Sequence, residues 1–305
     1  MTYIGELIAI STVLCWTMSA QFFEAASRRV GPTPVNIIRI TFALALFSIL
    51  LVIRNGFPVP LHFSAHAWFY LSLSGIIGFF LGDIFLFKAL VEIGARVAML
   101  IFSLSAPTTA IIGWLFLDEV YALHQWVGIF VTIFGVGMVV FVKNSKPASS
   151  SSRIVRTISF KGILFSIGGM LGQAIGFILS KAGMKEGGEY LDAFSATQIR
   201  VIAAFVCFIL FLTVTKKWQP VGAALKDKKA LLFTATGAVV GPFLGVSLSL
   251  LTLHYLTTGV ASTFLSLVPV FIIPFSIFLH KEHVPIRAMA GAVVAVAGIY
   301  LLMAH

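Results

Sequence analysis

Three ionisable residues lie inside long apolar stretches of the sequence: Arg39, Asp83 and Arg200. A charge in an apolar environment is costly unless it is paired, hydrated or neutralised, so each residue is a candidate for binding or proton transfer. Two interpretations of Asp83 stay open. Either it exchanges a proton or binds a cationic ligand, or it makes a structural bond to Arg39, a serine or a threonine on a neighbouring helix.

The two arginines each lie about two helical turns into an apolar stretch, where a long side chain can still reach a polar boundary. This snorkelling is the simpler interpretation of Arg39 and Arg200. The alternative is that the pair forms two gates or holds an anionic group. Glu24 precedes Arg28 by four residues, and this spacing predicts an ion pair at a boundary.

Polar and aromatic residues in the apolar stretches are candidates for binding a small molecule or a proton: Asp83, Trp16, Gln173, Ser103, Ser105 and Ser266. Aromatic walls with a few hydroxyl groups suit an amphipathic metabolite such as an amino acid or its derivative. The two cysteines lie singly in apolar stretches and the seven histidines are scattered. We therefore expect no metal site and no cofactor.

Hydropathy predicts the elements that carry these residues. The chain is 59% hydrophobic and 10% charged, with a mean hydropathy of +1.03, and such values exclude a soluble globular protein. A helix that spans a bilayer takes about 20 residues. The sequence therefore predicts an all-α integral membrane protein with ten transmembrane helices, approximately at 4–25, 34–53, 66–88, 95–116, 121–142, 160–182, 193–214, 230–255, 259–279 and 284–304.

An internal repeat relates the two halves of the chain. The segment 75–94 recurs 163 residues later as 238–257, and an unbroken register over this length indicates a duplication. The same offset relates further positions in both halves: Gly78 and Gly241, Gly82 and Gly245, Ser103 and Ser266, Glu119 and Glu282, Gly128 and Gly291, Gly135 and Gly298.

A Ser-rich basic linker at 143–159 separates the two five-span halves, 1–142 and 160–305. Because each half has an odd number of spans, the second half must enter the bilayer from the opposite side. The sequence therefore predicts inverted repeats. Trp16 and Gln173 occupy equivalent positions in the two halves, related by the offset that joins Gly5 to Gly162.

The distribution of positive charge predicts the orientation. With the N-terminus outside, 16 of the 21 Lys and Arg residues lie in cytoplasmic loops, three lie in outer loops and two lie within spans. The positive-inside rule then places both termini outside. Because the net charge of +10 is spread over short loops between apolar runs, it indicates topology and not binding of nucleic acid.

The ends of the two halves share a motif. The fourth span of each half ends in Ser-Leu and a proline, and a glutamate and a glycine-spaced fifth span follow (Ser103, Leu104, Pro107, Glu119; Ser266, Leu267, Pro269, Glu282). In this pattern the chain resembles the EamA-type branch of the drug/metabolite transporter superfamily. The resemblance implies a carrier with a central cavity lined by spans 1, 3, 4, 6, 8 and 9, with spans 5 and 10 at the periphery.

These features together predict a secondary transporter that works by alternating access in a bacterial cytoplasmic membrane, exporting a small metabolite, with protons as the candidate coupling ion. The alternatives are an exchanger of sugar phosphates or nucleotide sugars, an enzyme embedded in the membrane, and a subunit that does not transport. The sequence contains no nucleotide-binding loop and no clustered catalytic set, so neither an ATP-driven pump nor an enzyme is expected.

Overall fold

The computed structural model describes residues 3–140, 159–273 and 286–303. Within these ranges nine helices are long and apolar enough to span a membrane, and a tenth apolar helix is shorter. We number them spans 1 to 10: Ile4–Val30, Pro32–Asn55, Ala65–Ala89, Ala98–Phe116, Leu123–Val140, Phe160–Met184, Ala193–Val214, Lys228–Thr252, Thr258–Ile273 and Ile286–Met303. The predicted all-α membrane fold with ten transmembrane helices is confirmed.

Shorter elements connect several of the spans. A helix at Asp83–Ser103 runs through the connection between spans 3 and 4, and a helix at Trp218–Ala224 precedes span 8. Strands Lys185–Glu186 and Glu189–Tyr190 form a hairpin after span 6. Apart from Ser159, the predicted linker 143–159 lies outside the described residues, so the division of the chain at that segment stays a prediction.

Local sequence signals explain where several spans begin. The carboxylate of Asp192 accepts a hydrogen bond from the backbone N–H of Ser195 and caps span 7. Asp227 accepts two such bonds and caps span 8, while the Ser64 hydroxyl caps span 3. These side chains satisfy N–H groups that have no partner within the first turn of a helix.

Spans 3 and 8 each contain a π-helical segment at equivalent positions. The segments are Gly75–Gly82 and Val239–Gly245. Their last residues, Gly82 and Gly245, are related by the repeat offset of 163 residues. Because a π turn holds more residues than an α turn, side chains beyond it are rotated relative to those before it. The duplication seen in the sequence is therefore also present in an irregular feature of the backbone.

Spans 4 and 9 are interrupted at equivalent positions too. The hydroxyl of Ser103 donates to the Leu100 carbonyl at 2.7 Å, and that of Ser266 donates to the Thr263 carbonyl at the same distance. The regular helix is interrupted at Leu104 in the first half and at Ser266 and Leu267 in the second. Both serines thus stabilise the turn at a break in the span.

Contacts between the halves are exchanged by the repeat symmetry. Span 3 packs on span 6, and the Ser74 hydroxyl donates to the Gly176 carbonyl at 2.5 Å. Span 8 packs on span 1 in the same way, and the Ser19 hydroxyl donates to the Gly237 carbonyl at 3.3 Å. In both contacts the hydroxyl belongs to the first half, but it comes from span 3 in one contact and from span 1, the equivalent of span 6, in the other.

Equivalent helices pack antiparallel, which is the signature of inverted repeats. In spans 5 and 10, Gly128 lies against Gly298 whereas Gly135 lies against Ala295, so the two helices run in opposite directions. The Thr132 hydroxyl adds a hydrogen bond to the Ala295 carbonyl at 3.4 Å. Small residues allow this close approach of two backbones. The prediction of inverted five-helix repeats is confirmed.

We expect Gly135→Ala to destabilise the protein. A Cβ at this position would meet the backbone N of Ala295, and overpacking of this kind costs about 1–3 kcal/mol. Thermal unfolding of the purified protein in detergent should show a midpoint several degrees below that of the wild type.

Gly222→Ala is the matched control for this substitution. Nothing lies within 4 Å of a Cβ built at Gly222, and alanine is the better helix former, so its unfolding midpoint should stay at or slightly above the wild-type value. Equal midpoints for the two variants would contradict the close contact between spans 5 and 10.

Candidate functional site

A buried charged cluster lies where spans 2, 3 and 7 meet. Arg39 of span 2 donates through Nη2 to the Asp83 carboxylate of span 3, and the two side chains are only 10% and 22% exposed. The Arg39 guanidinium also lies 5.3 Å from the centre of the Phe23 ring. Asp83 thus has an ionic partner on a neighbouring helix, one of the two arrangements considered from the sequence.

The second arginine of the cluster, Arg200, comes from span 7 of the other half. Its guanidinium lies 4.3 Å from the centre of the Phe79 ring, one helical turn before Asp83. Its Nε is buried and has no hydrogen-bond acceptor among the described residues. Span 7 can approach span 3 this closely because Gly75 faces the Arg200 backbone, and a Cβ there would meet the Arg200 carbonyl.

Both arginines are therefore interior residues, contrary to the snorkelling interpretation. Arg39 is 8% exposed and Arg200 is 5% exposed. Each lies about two turns into its helix, but each side chain is directed to partners on other helices and not to a polar boundary. The distance along the sequence indicated the reach of the side chain and could not indicate its direction.

The remaining binding candidates are not hydrogen-bonded to this cluster in the described part of the chain. Trp16 donates through Nε1 to the Ser249 hydroxyl at 3.4 Å, and its repeat counterpart Gln173 is half-buried. Ser103 and Ser266 bond to carbonyls of their own helices, and Ser105 is buried in the first turn of the helix Ser105–Phe116. Within the described ranges no hydrogen bond joins any of these five residues to Asp83.

Glu24 forms the ion pair that its spacing predicts. Its carboxylate lies 2.6 Å from Nη2 of Arg28, and the two side chains are 56% and 78% exposed. Near it, Arg29 pairs with Asp227 at 2.9 Å. We call this end of the bundle, which holds Arg28, Arg29 and residues 215–227, the Arg28 end. Exposed pairs of this kind contribute little to stability.

A second buried ionic network lies at the opposite end, between the two halves. Glu119, in the turn between spans 4 and 5, accepts a hydrogen bond from Lys181 Nζ at 2.8 Å. It also accepts bonds from the backbone N–H of Thr258 at 2.9 and 3.0 Å and from the Thr258 hydroxyl at 2.7 Å. The Tyr121 hydroxyl donates to the same carboxylate. We call this network the Glu119 cluster and this end the Glu119 end.

The Glu119 cluster joins several helices. Lys181 comes from the end of span 6 and donates a second bond to the Leu256 carbonyl at 3.0 Å. The Tyr121 hydroxyl in turn accepts a bond from the backbone N–H of Gly259 at 3.0 Å. The turn between spans 4 and 5 of the first half is thereby tied to the end of span 6 and to the start of span 9 in the second half. Glu119 is only 7% exposed, so these bonds are shielded from water and are stronger for it.

The surroundings keep the Glu119 carboxylate ionised. Burial alone would raise the pKa of Glu119, but the Lys181 ammonium and the hydrogen bonds from Lys181, Tyr121 and Thr258 outweigh it, and the pKa is lowered from its ordinary value. Burial, followed by the adjacent negative charge of Glu119, raises the pKa of the Tyr121 hydroxyl. The tyrosine therefore remains a donor and the glutamate remains an acceptor across the physiological range.

Comparison with known proteins identifies the fold and the family. The sequence matches the EamA-like transporter family over residues 3–141 and again over residues 160–304. The chain belongs to the EamA-like transporter family. No curated protein matches it. Among solved structures 28 chains match, and one of them, described only as "Crystal structure of protein", has a TM-score of 0.72 at 14% identity and covers 98% of this chain and 96% of its own.

In this EamA-like protein the two ends of the bundle differ in chemistry. The offset of 157 residues that relates Trp16 to Gln173 also relates Glu24 to Lys181. The offset of 163 relates Glu119 to Glu282, which lies outside the described residues. The position that holds Lys181 at the Glu119 end therefore holds Glu24 at the Arg28 end, and Glu119 is matched in the sequence by a second glutamate.

The Glu119 cluster is the feature that the sequence did not reveal. Glu119 was recognised only as a repeated position, and its partners Lys181 and Thr258 lie 62 and 139 residues away. One signal was present: Lys181 is a cation at the end of span 6 where the equivalent residue of span 1 is Glu24. A departure from the repeat at an ionisable position would have indicated a role for Lys181.

We expect Lys181→Met to destabilise the protein much more than Arg28→Met does. Removing Lys181 leaves a buried carboxylate without its counter-ion, and breaking a buried pair costs about 3–5 kcal/mol, whereas the Arg28 pair is exposed. Unfolding midpoints in detergent measure the difference. The double variant Lys181→Met/Glu119→Gln should recover part of the loss, and a Lys181→Met variant as stable as Arg28→Met would contradict the importance of the Glu119 cluster.

Proposed function

We propose that this protein is a secondary carrier that moves a small organic metabolite across the cytoplasmic membrane by alternating access, in the direction of export. The observation that carries the proposal is the difference between the two ends. At the Glu119 end, buried bonds join the two halves. At the Arg28 end, the described ion pairs are exposed. A carrier built of inverted repeats needs one closed end and one end that can open.

The sides of the membrane follow from the charge distribution. We propose that the Glu119 end faces the outside and the Arg28 end faces the cytoplasm, because 16 of the 21 Lys and Arg residues then lie on the cytoplasmic side. Both termini are then outside. In this orientation the bonds of the Glu119 cluster form the outer gate, and opening it requires Lys181 to leave Glu119.

We propose that Asp83 couples transport to protons through its bond to Arg39. A proton on the carboxylate would remove the charge that holds Arg39 in place, so protonation and movement of span 2 against span 3 would be linked. The partial exposure of the Asp83 side chain, 22% against 10% for Arg39, supports access of a proton to this residue.

A second candidate function has one observation in its favour. The buried charged cluster holds two arginines and one aspartate and so has an excess of positive charge. This excess would suit an exchanger of sugar phosphates or nucleotide sugars. An amino acid also carries a carboxylate that the excess charge could hold. The same transport measurement compares both substrate classes.

We expect the purified protein in proteoliposomes to transport labelled amino acids, with glucose 6-phosphate tested in parallel. A carrier should show saturable uptake, and preloading the vesicles with the unlabelled compound should accelerate entry of the label. Protein-free liposomes are the control. Flux that rises linearly with concentration and ignores the preloaded compound would contradict alternating access.

We expect Asp83→Asn to abolish uptake driven by a pH gradient while exchange between labelled and unlabelled substrate continues. The amide cannot be ionised, but it keeps the size of the side chain. Asp118→Asn is the control, because Asp118 is exposed and its φ of 53° is tolerated by asparagine. Uptake that still follows the pH gradient in Asp83→Asn would exclude Asp83 as the coupling residue.

A further inference from the structure

The buried charges in the described part of the chain are paired with one exception. Three charged residues there are less than a tenth exposed: Arg39, Glu119 and Arg200. Arg39 is paired with Asp83, and Glu119 is paired with Lys181. Arg200 has neither an ion pair nor a hydrogen-bond acceptor for its side chain among the described residues.

Among the described residues this arrangement leaves an excess of one positive charge at the cluster of Arg39, Asp83 and Arg200. Arg39 and Asp83 cancel each other, whereas the guanidinium of Arg200 stays charged at physiological pH. Among the described residues the Phe79 ring lies 4.3 Å from it, and a cation–π contact cannot replace a counter-ion. Asp83 also attracts Arg200, but its carboxylate is hydrogen-bonded to Arg39. A buried cation without a partner is the expected state of a binding site whose ligand brings the negative charge.

The geometry around Arg200 suits an oxyanion. The Phe79 ring covers one face of the planar guanidinium, so the N–H groups in the plane stay available. A carboxylate pairs with that edge through two parallel hydrogen bonds. Gly78 lies next to this edge, since a Cβ built there would be in van der Waals contact with Nη2 of Arg200 at 3.5 Å. The close contact at Gly75 fixes the backbone of Arg200 against span 3.

The position of Arg200 in the fold also favours a ligand site. Its side chain lies against the π-helical segment Gly75–Gly82 of span 3, and such segments often occur at functional sites. Phe79 and Asp83 are four residues apart and so lie on one face of that span. Arg200 comes from the second half and Asp83 from the first, so a ligand between them would touch both repeats.

We propose that Arg200 is an anion-binding residue that holds the carboxylate of the transported metabolite, and that the substrate is a small organic acid or zwitterion with one negatively charged group. The inference rests on the proposed carrier function and specifies its substrate class. A monoanion compensates the single excess charge of the cluster. A phosphate monoester carries about 1.5 to 2 negative charges near neutral pH, and it would leave the site negative.

The test compares acids with their uncharged amides on the purified full-length protein. The probes are L-phenylalanine against L-phenylalaninamide and benzoate against benzamide, with glucose 6-phosphate as a separate arm. Each is titrated while the thermal unfolding midpoint is followed. The acids should raise the midpoint of the wild type and the amides should not, because only the acids offer a partner to Arg200.

Variants then assign the preference to Arg200. Arg200→Gln should weaken binding of the acids by about tenfold to a hundredfold, the range expected for one charged hydrogen-bonded contact, and Arg200→Lys should weaken it less. Arg54→Gln, which removes an arginine that is 49% exposed, should leave the affinity unchanged. The comparison of acid with amide on the wild type stands even if Arg200→Gln does not fold.

Several results would overturn the assignment. On the wild type these are equal stabilisation by acid and amide, no stabilisation by either acid, or stabilisation by glucose 6-phosphate alone. On Arg200→Gln it is a preference for the acid that is as strong as in the wild type. Failure of the carrier proposal gives a different result, because binding selective for acids without flux in proteoliposomes would retain the Arg200 site and reject transport. Flux of acids and amides at equal rates would retain the carrier function and reject the Arg200 site.

Discussion

Close contact between helix backbones at glycines is the constraint on which the rest of this structure depends. Helices in a bilayer gain little from apolar burial against each other, so they associate through tight packing and hydrogen bonds. Spans 3 and 6 meet where a Cβ at Gly82 would lie 3.6 Å from the Cα of Gly172. Since Gly78 and Gly82 face span 6, the residues that follow them, Phe79 and Asp83, point along a neighbouring face of span 3. Spans 2 and 7 bring their arginines to that face.

The two buried ionic groups are consequences of this packing and differ in their charge balance. At the Glu119 end the carboxylate receives an ammonium, two hydroxyls and a backbone N–H, so the group is satisfied within the protein. In the buried charged cluster Asp83 is paired with Arg39, and Arg200 contacts an aromatic ring. The first arrangement suits a contact that holds helices together. The second suits a site that is completed by another molecule.

Much of the fold could be predicted from the sequence because the duplication left the same residues at the same backbone contacts. Gly78, Gly82 and their copies Gly241 and Gly245 are repeated because each lies where another helix passes closely. The count of spans followed from hydropathy, since about 20 apolar residues are needed to cross the bilayer. The inversion followed from the odd number of spans in each half.

The candidate site was less accessible to sequence reasoning, and the reason is geometric. Arg39 and Arg200 were identified as unusual, but their partners depend on the rotation of three helices, which hydropathy does not determine. Lys181 and Glu119 meet from loops and helix ends that lie 62 residues apart. The prediction of an ion pair between Glu24 and Arg28 succeeded because both residues lie on one helix, four residues apart.

The change of sign between Lys181 and its counterpart Glu24 has a consequence for the energetics of the whole molecule. Two identical inverted halves would give end states that are related by a two-fold rotation and have equal free energy. Here Lys181 attracts Glu119 across the two halves, whereas Glu24, the counterpart of Lys181, pairs with Arg28 on its own helix. The two halves are therefore not energetically equivalent, and the side chains favour the arrangement in which Lys181 and Glu119 are in contact.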